Sequence, residues 1–161
     1  MDLSERVAVV TGGASGIGRA VAATMAQRKV KAVALVDQST AVHDVAAQLN
    51  QAAGRSFAMA FEGDTTDEAF RSAVFDKISE AHGLVSLCVP AAGITRDDLA
   101  VRLDRETGKA RIYPKSQFEL VVQVNLIAPV YWALEMIGRI AESRAARGLK
   151  RWTAEERTQI S

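Results

Sequence analysis

Thr11-Gly12-Gly13-Ala14-Ser15-Gly16-Ile17-Gly18 is the stretch whose reading decides the fold. It follows the apolar run Val7-Ala8-Val9-Val10 and opens an alanine-rich helical segment that continues from Arg19 to Arg28. A strand, a glycine-rich turn and a helix in that order build a phosphate cradle. The glycines let the main chain approach phosphates with no Cβ in the way. The helix start adds unpaired N–H groups and a partial positive charge. An acid, Asp37, closes the next apolar run. A carboxylate there can accept both hydroxyls of an adenosine ribose and would repel a 2′-phosphate, so the pattern favours NAD over NADP.

Outward from this motif, apolar runs alternate with helical patterns. Strands are expected over 6–11, 32–37, 56–61 and 85–89. Helices are expected over 16–28, from Ser39 as N-cap to Ala53 with Gly54 as the stop, and from a Thr65/Glu68 capping box to near Gly83. Short connections between alternating strands and helices imply parallel pairing with right-handed crossovers. The expected architecture is an α/β, three-layer, doubly wound parallel sheet of the Rossmann type, a single domain over 1–161 with strand order 3-2-1-4.

Two segments break the rhythm. Residues 99–103 and 109–113 each alternate apolar and polar side chains and flank Asp104-Arg105-Glu106-Thr107-Gly108, which reads as a hairpin over 99–113. Pro114 ends it, and a Ser116/Glu119 capping-box pair is expected to start a helix running to about Arg147, with Gly148 as the stop. Beyond it, Thr153 and Glu156 could cap one short turn. The long helix is apolar around much of its circumference, more than one sheet face can cover, so it needs a second partner.

The 161 residues are 48% apolar and 24% charged, with a net charge of +1, which gives no electrostatic case for nucleic acid or an acidic membrane surface. The apolar region 120–140 contains Gln123, Asn125, Pro129, Glu135 and Arg139, which argues against a membrane span. The first strand begins so close to Met1 that no signal peptide is expected, and a cytoplasmic protein is the default. Cys88, the single cysteine, lies inside an apolar run and reads as a buried strand thiol. His43 and His82 have no partner at ligand spacing, so no metal site is expected. Arg139, Arg144, Arg147, Lys150 and Arg151 read as a solvated helix face.

Together these residues resemble the short-chain dehydrogenase/reductase family, over essentially the whole chain. The resemblance rests on the TGxxxGIG motif at Thr11–Gly18, Asp37, Asp64 after the third strand, the Ala92-Gly93 remnant of an NNAG motif, and Asn125 within Val-Asn-Leu. The stretch Ala92-Gly93-Ile94-Thr95-Arg96-Asp97 looks most like the 3-oxoacyl-acyl-carrier-protein reductase branch. The resemblance implies interconversion of a small-molecule alcohol and carbonyl with a nicotinamide cofactor. It gives Gly12, Gly16 and Gly18 the shaping of the turn, and Ser15 and Ile17 the phosphate and ribose path. Asp37 would hold the adenosine ribose, Asp64 the adenine amino group with Thr65 beside it, while Ala91, Ala92 and Gly93 would pass beneath the cofactor. Asn125 would be the helix-bend residue whose carbonyl holds a relay water. Pro129 supports that role, since proline has no N–H to bond the carbonyl four residues back. The helix over 116–147 would pack at the interface of a homodimer or homotetramer.

The family's chemistry also needs a tyrosine four residues before a lysine. Here Tyr113 is followed by Gln117 and Tyr131 by Glu135 at that spacing. The expectation is a chain that represents the N-terminal part of a longer enzyme, truncated after the fourth helix, able to bind dinucleotide but not to transfer hydride. The alternative is a non-catalytic dinucleotide-binding or scaffold module.

Overall fold

Four short valine- and alanine-rich segments pair as the parallel sheet of a computed structural model, which describes residues 2–149. They are β1 (Val7–Thr11), β2 (Ala32–Asp37), β3 (Ala58–Glu62) and β4 (Val85–Pro90). Their spatial order is β3-β2-β1-β4, as the alternation of elements implies. In register, Val9 of β1 faces Ala34 of β2 on one side and Cys88 of β4 on the other.

Strand pleating divides the core in two. Val7 and Val9 point to the face covered by α3 (Glu68–His82) and α5 (Ala128–Ala146), where Phe75, Ile78, Trp132 and Met136 are buried. Ala8 and Val10 point to the face covered by α1 (Gly16–Gln27) and α2 (Ala41–Ala53), against Ala22, Val42, Val45 and Phe57. β1 is buried along its whole length because both faces are roofed by helices, the reason its sequence is a continuous apolar run.

α1 starts at Gly16 as expected, and the three later helix starts differ from the sequence expectation. α2 begins after Thr40; Ser39 instead caps the preceding turn, its Oγ accepting the Ala41 N–H at 3.3 Å. The Thr65/Glu68 box does not form. Asp64 Oδ1 takes both the N–H and the hydroxyl of Thr66 at 2.8 Å, which holds 64–66 as a turn. Asp67 becomes the N-cap, its side chain accepting the Phe70 N–H at 3.0 Å. The Ser116/Glu119 box does not form either. α4 (Lys115–Val122) starts directly after Pro114, whose extended backbone ends the preceding leg, and Glu119 pairs with Lys115 at 3.2 Å instead.

The expected hairpin is present as β5 (Val101–Leu103) and β6 (Ala110–Ile112), antiparallel, with Gly108 at φ +67° in its turn. The expected single long helix is interrupted. A π-helical turn over Gln123–Ile127 separates α4 from α5, and Pro129 is the second residue of α5. Proline cannot supply the N–H that an unbroken α-helix needs there. Gly148, at φ +74°, closes the helix end as the sequence suggests. By length and composition the stretch Lys115–Ala146, which contains an 18-residue window of mean hydropathy 1.6, could cross a membrane; in this fold its Trp132, Met136 and Ile140 are buried.

Of the basic stripe, Arg147 is exposed as expected, while Arg139 and Arg144 are not solvated. Arg144 is buried, and Arg139 donates to Glu135 Oε1 at 2.9 Å, to Asp76 Oδ1 at 2.5 Å and to the Ser72 hydroxyl at 3.1 Å. Lys150, Arg151 and the proposed Thr153/Glu156 turn lie outside the described residues.

Candidate functional site

The glycine-rich turn leaves the carboxyl end of β1 and is held from three sides. Gly12 takes φ +70°, and a Cβ there would stand 2.8 Å from the Ala91 carbonyl oxygen and the Ala92 nitrogen. A Cβ at Gly18 would stand 2.2 Å from the Gly12 carbonyl oxygen. Both positions therefore demand glycine: the turn is packed against the exit of β4 and folded onto the first turn of α1. Thr11 Oγ accepts the Ala92 N–H at 3.1 Å, which ties the ends of β1 and β4 together. On the other side the Gly13 N–H donates to the Val36 carbonyl at 3.1 Å, and the Ala14 N–H donates to Asp37 Oδ2 at 3.0 Å.

α1 then starts at Gly16 with Ser15 as N-cap, and the Ser15 side chain makes no capping bond. No acid lies in the first turn of α1. The helix end thus keeps its first N–H groups and its partial positive charge uncompensated.

A groove of about 480 Å³ opens above this turn, at the carboxyl ends of the strands. Gly12, Ser15, Gly16 and Ile17 form one wall, and Asp37, Asp64 and Thr65 line it beside β2 and β3. Ala91, Ala92 and Gly93 form the edge after β4. Ten of the sequence-selected residues are brought together in this way. Gly18 and Asn125 are not on the groove surface: Gly18 lies buried behind the turn, and Asn125 acts on the rim.

The Asn125 side chain clamps that rim. Its Oδ1 accepts the Ile94 N–H at 2.9 Å and its Nδ2 donates to the Ile94 carbonyl at 2.8 Å. The amide thus imitates a strand partner and joins the π-helical turn to the chain leaving β4. Sequence reasoning gave Asn125 a role only through its carbonyl and missed this pairing. It also missed Thr11, Gln38, Gly63, Ile94 and Val124, the last four of which line the groove. Gln38, Gly63, Ile94 and Val124 each adjoin a selected residue and could have been found by adjacency. Nothing local distinguishes the Thr11 hydroxyl from any other strand-end threonine.

Among the described residues, no cysteine, histidine, lysine or tyrosine lines the groove. Cys88, half-buried on β4, has its thiol pushed up to about 11 by burial, so it stays protonated at neutral pH. Neither tyrosine lines the groove. Tyr113 donates its hydroxyl to the Arg96 carbonyl at the foot of the hairpin, and Tyr131 lies under the Arg71 guanidinium on the outer side of α5. Among the described residues no three His, Cys, Asp or Glu side chains converge as metal ligands.

Comparison with known proteins agrees with this architecture. The family model of the short chain dehydrogenases matches residues 6–147. The 3-oxoacyl-acyl-carrier-protein reductase of Escherichia coli is 34% identical over 106 residues, 66% of this chain and 41% of that enzyme. The chain thus spans well under half the length of that curated relative. Among solved structures, a protein named as a short-chain dehydrogenase from Novosphingobium aromaticivorans superposes with a TM-score of 0.74 at 22% identity, covering 93% of this chain and 50% of that one. A protein named as a D-mannonate oxidoreductase from Haemophilus influenza, solved with NAD bound, gives 0.73 at 20% identity, covering 86% and 51%. The family match over most of the sequence, on a Rossmann sheet with a glycine turn packed at its carboxyl edge, places this chain in the short-chain dehydrogenase family.

Proposed function

We propose that the groove binds NAD, and that the protein serves an oxidoreductase acting on a small alcohol or carbonyl compound. The observation that carries this reading is the tight packing of the glycine-rich turn beside an uncapped helix start at the groove. Gly12 and Gly18 are packed so closely that no Cβ is tolerated, and the bare N-terminus of α1 stands beside them at the groove. In this reading Asp37 takes the adenosine ribose, and Asp64 and Thr65 lie beside the adenine. Ala91, Ala92 and Gly93 underlie the nicotinamide half. A bound nicotinamide would supply the hydride donor or acceptor.

The chain's own residues bind and orient but bring no acid/base tyrosine. Neither tyrosine has a lysine four residues on, so this chain by itself is read as a binder without turnover. Asn125 is read as a relay residue: position 129 has no N–H for its carbonyl, and its side chain fixes the rim. The exposed apolar side of α4 and α5 is read as a homo-oligomer contact, and the protein as cytoplasmic. The absence of a Tyr-x-x-x-Lys pair favours, as a second reading, a dinucleotide-binding module with no chemistry of its own.

Calorimetric titration with NAD and NADP tests the assignment. Wild type should bind NAD more tightly, and Asp37→Ala should lose that preference. Tighter binding of NADP by the wild type refutes the cofactor assignment, and binding of neither refutes the groove.

A further inference from the structure

The Asp37 carboxylate makes main-chain contacts on both of its oxygens. Oδ2 accepts the Ala14 N–H at 3.0 Å and Oδ1 accepts the Ser39 N–H at 3.0 Å. Ser39 is the next turn along the chain, a local contact. Ala14 is not: it lies in the glycine-rich turn, 23 residues away in sequence. The Gly13 N–H on the Val36 carbonyl, at 3.1 Å, is its neighbour. These two bonds hold the middle of the turn to the end of β2. The Val36 carbonyl belongs to the main chain and survives any substitution; the Asp37 oxygen does not.

An ionised carboxylate offers about four acceptor positions on two oxygens. With one on each already taken by an N–H, one on each remains, enough for a pair of vicinal hydroxyls. The same side chain can thus hold the turn and read a ribose at once. Building on the dinucleotide reading above, we propose that Asp37 is the clasp of the phosphate-binding turn as well as its ribose reader. It keeps Ala14, and with it the main-chain amides between Gly12 and Gly16, in the shape that accepts phosphate. A 2′-phosphate meets a carboxylate that cannot swing away without releasing Ala14. Discrimination against the phosphorylated sugar therefore acts through the integrity of the turn in addition to charge repulsion.

The two roles predict opposite signs for a ligand that keeps the phosphates and lacks the hydroxyls. If Asp37 only reads the ribose, deleting a negative charge beside an anion site strengthens phosphate binding. If it is the clasp, the deletion weakens it. The probe is 2′,3′-dideoxyadenosine 5′-diphosphate, titrated calorimetrically beside ADP into the 161-residue chain and its Asp37→Ser variant. The clasp predicts at least a fivefold loss of affinity for the dideoxy compound in the variant; an unchanged or higher affinity overturns it. Amide hydrogen exchange without ligand gives an independent reading. Asp37→Ser should speed exchange of the Gly13 amide, whose own acceptor is the Val36 carbonyl, by at least tenfold and leave the amides around Trp132 unaltered. Unaltered protection of the turn overturns the clasp. Failure of the wild type to bind either nucleotide would instead sink the dinucleotide reading, while the exchange measurement still decides the clasp.

Discussion

At the scale of single residues, the site is held by side chains whose partners are main-chain groups. Thr11 is almost fully buried and spends its hydroxyl on the Ala92 N–H. Thr11→Val keeps the shape and strands that donor, so it should cost roughly 1–3 kcal/mol in urea unfolding, with Thr11→Ser restoring most of the loss. Cys88 is a contrasting case. Its thiol is pushed up to about 11 because burial disfavours the thiolate. Its reaction with a disulfide reagent at pH 8 should be about a hundredfold slower in the native chain than in denaturant. A native rate equal to the denatured one would show an accessible, ionised thiol.

At the scale of elements, the hairpin is the segment with the least support. Every residue of β5 and β6 is exposed, so its order rests on local polar contacts. Asp98 accepts the Leu99 N–H and pairs with Arg102 at 2.7 Å and with Arg111 at 3.0 Å, and Asp104 accepts the N–H groups of Thr107 and Glu106 in the turn. Those contacts hold both carboxyls below their usual value, Asp98 first through the Leu99 amide and Asp104 first through the Thr107 amide. A lowered folded-state pKa means the contribution is present above the ordinary carboxylate value of 3.8 and disappears as pH falls through the lowered one. Amide exchange followed from pH 6 to pH 2 should therefore show the hairpin loosening in acid before β1 and β2 do. Simultaneous loss of all strands would contradict this. The capping boxes teach a related lesson about elements. Thr65/Glu68 and Ser116/Glu119 have the right spacing, yet Asp67 and Pro114 take the helix starts because the turns before them are already fixed.

At the scale of the whole molecule, α5 is the keystone. Trp132 is fully buried, packs against Phe75 with ring centroids 5.7 Å apart, and donates its indole N–H to the Thr65 carbonyl at 2.9 Å, linking the core to the groove edge. The same helix system leaves Phe118, Leu126, Leu134 and Ile137 between 45% and 61% exposed, large apolar side chains that a partner could cover. Sedimentation velocity should show self-association of the wild type, and Leu134→Glu combined with Ile137→Glu should shift it to monomer. A wild type that stays monomeric at high concentration would remove the oligomer proposal. Arg71 and Arg139 share Glu135, at 3.5 and 2.9 Å, an ionic seam between α3 and α5 that takes Arg139 out of the solvated face the sequence suggested.

The sequence by itself determined the parallel Rossmann sheet, its strand order, the glycine turn, the hairpin and the end of the long helix. These depend on local periodicity and on backbone freedom at particular residues, such as the apolar run of β1 and the positive φ of Gly108 and Gly148. It also picked out most of the groove lining, because a strand-turn-helix motif places its own residues at a known edge of the sheet. Only the tertiary structure decided which hydrogen-bond partners those residues take. The Asn125 amide on Ile94, the Thr11 hydroxyl on Ala92 and the Asp37 carboxylate on Ala14 join segments far apart in the chain. Such contacts exist only once the sheet has brought its strand ends together, so no local pattern in the sequence encodes them.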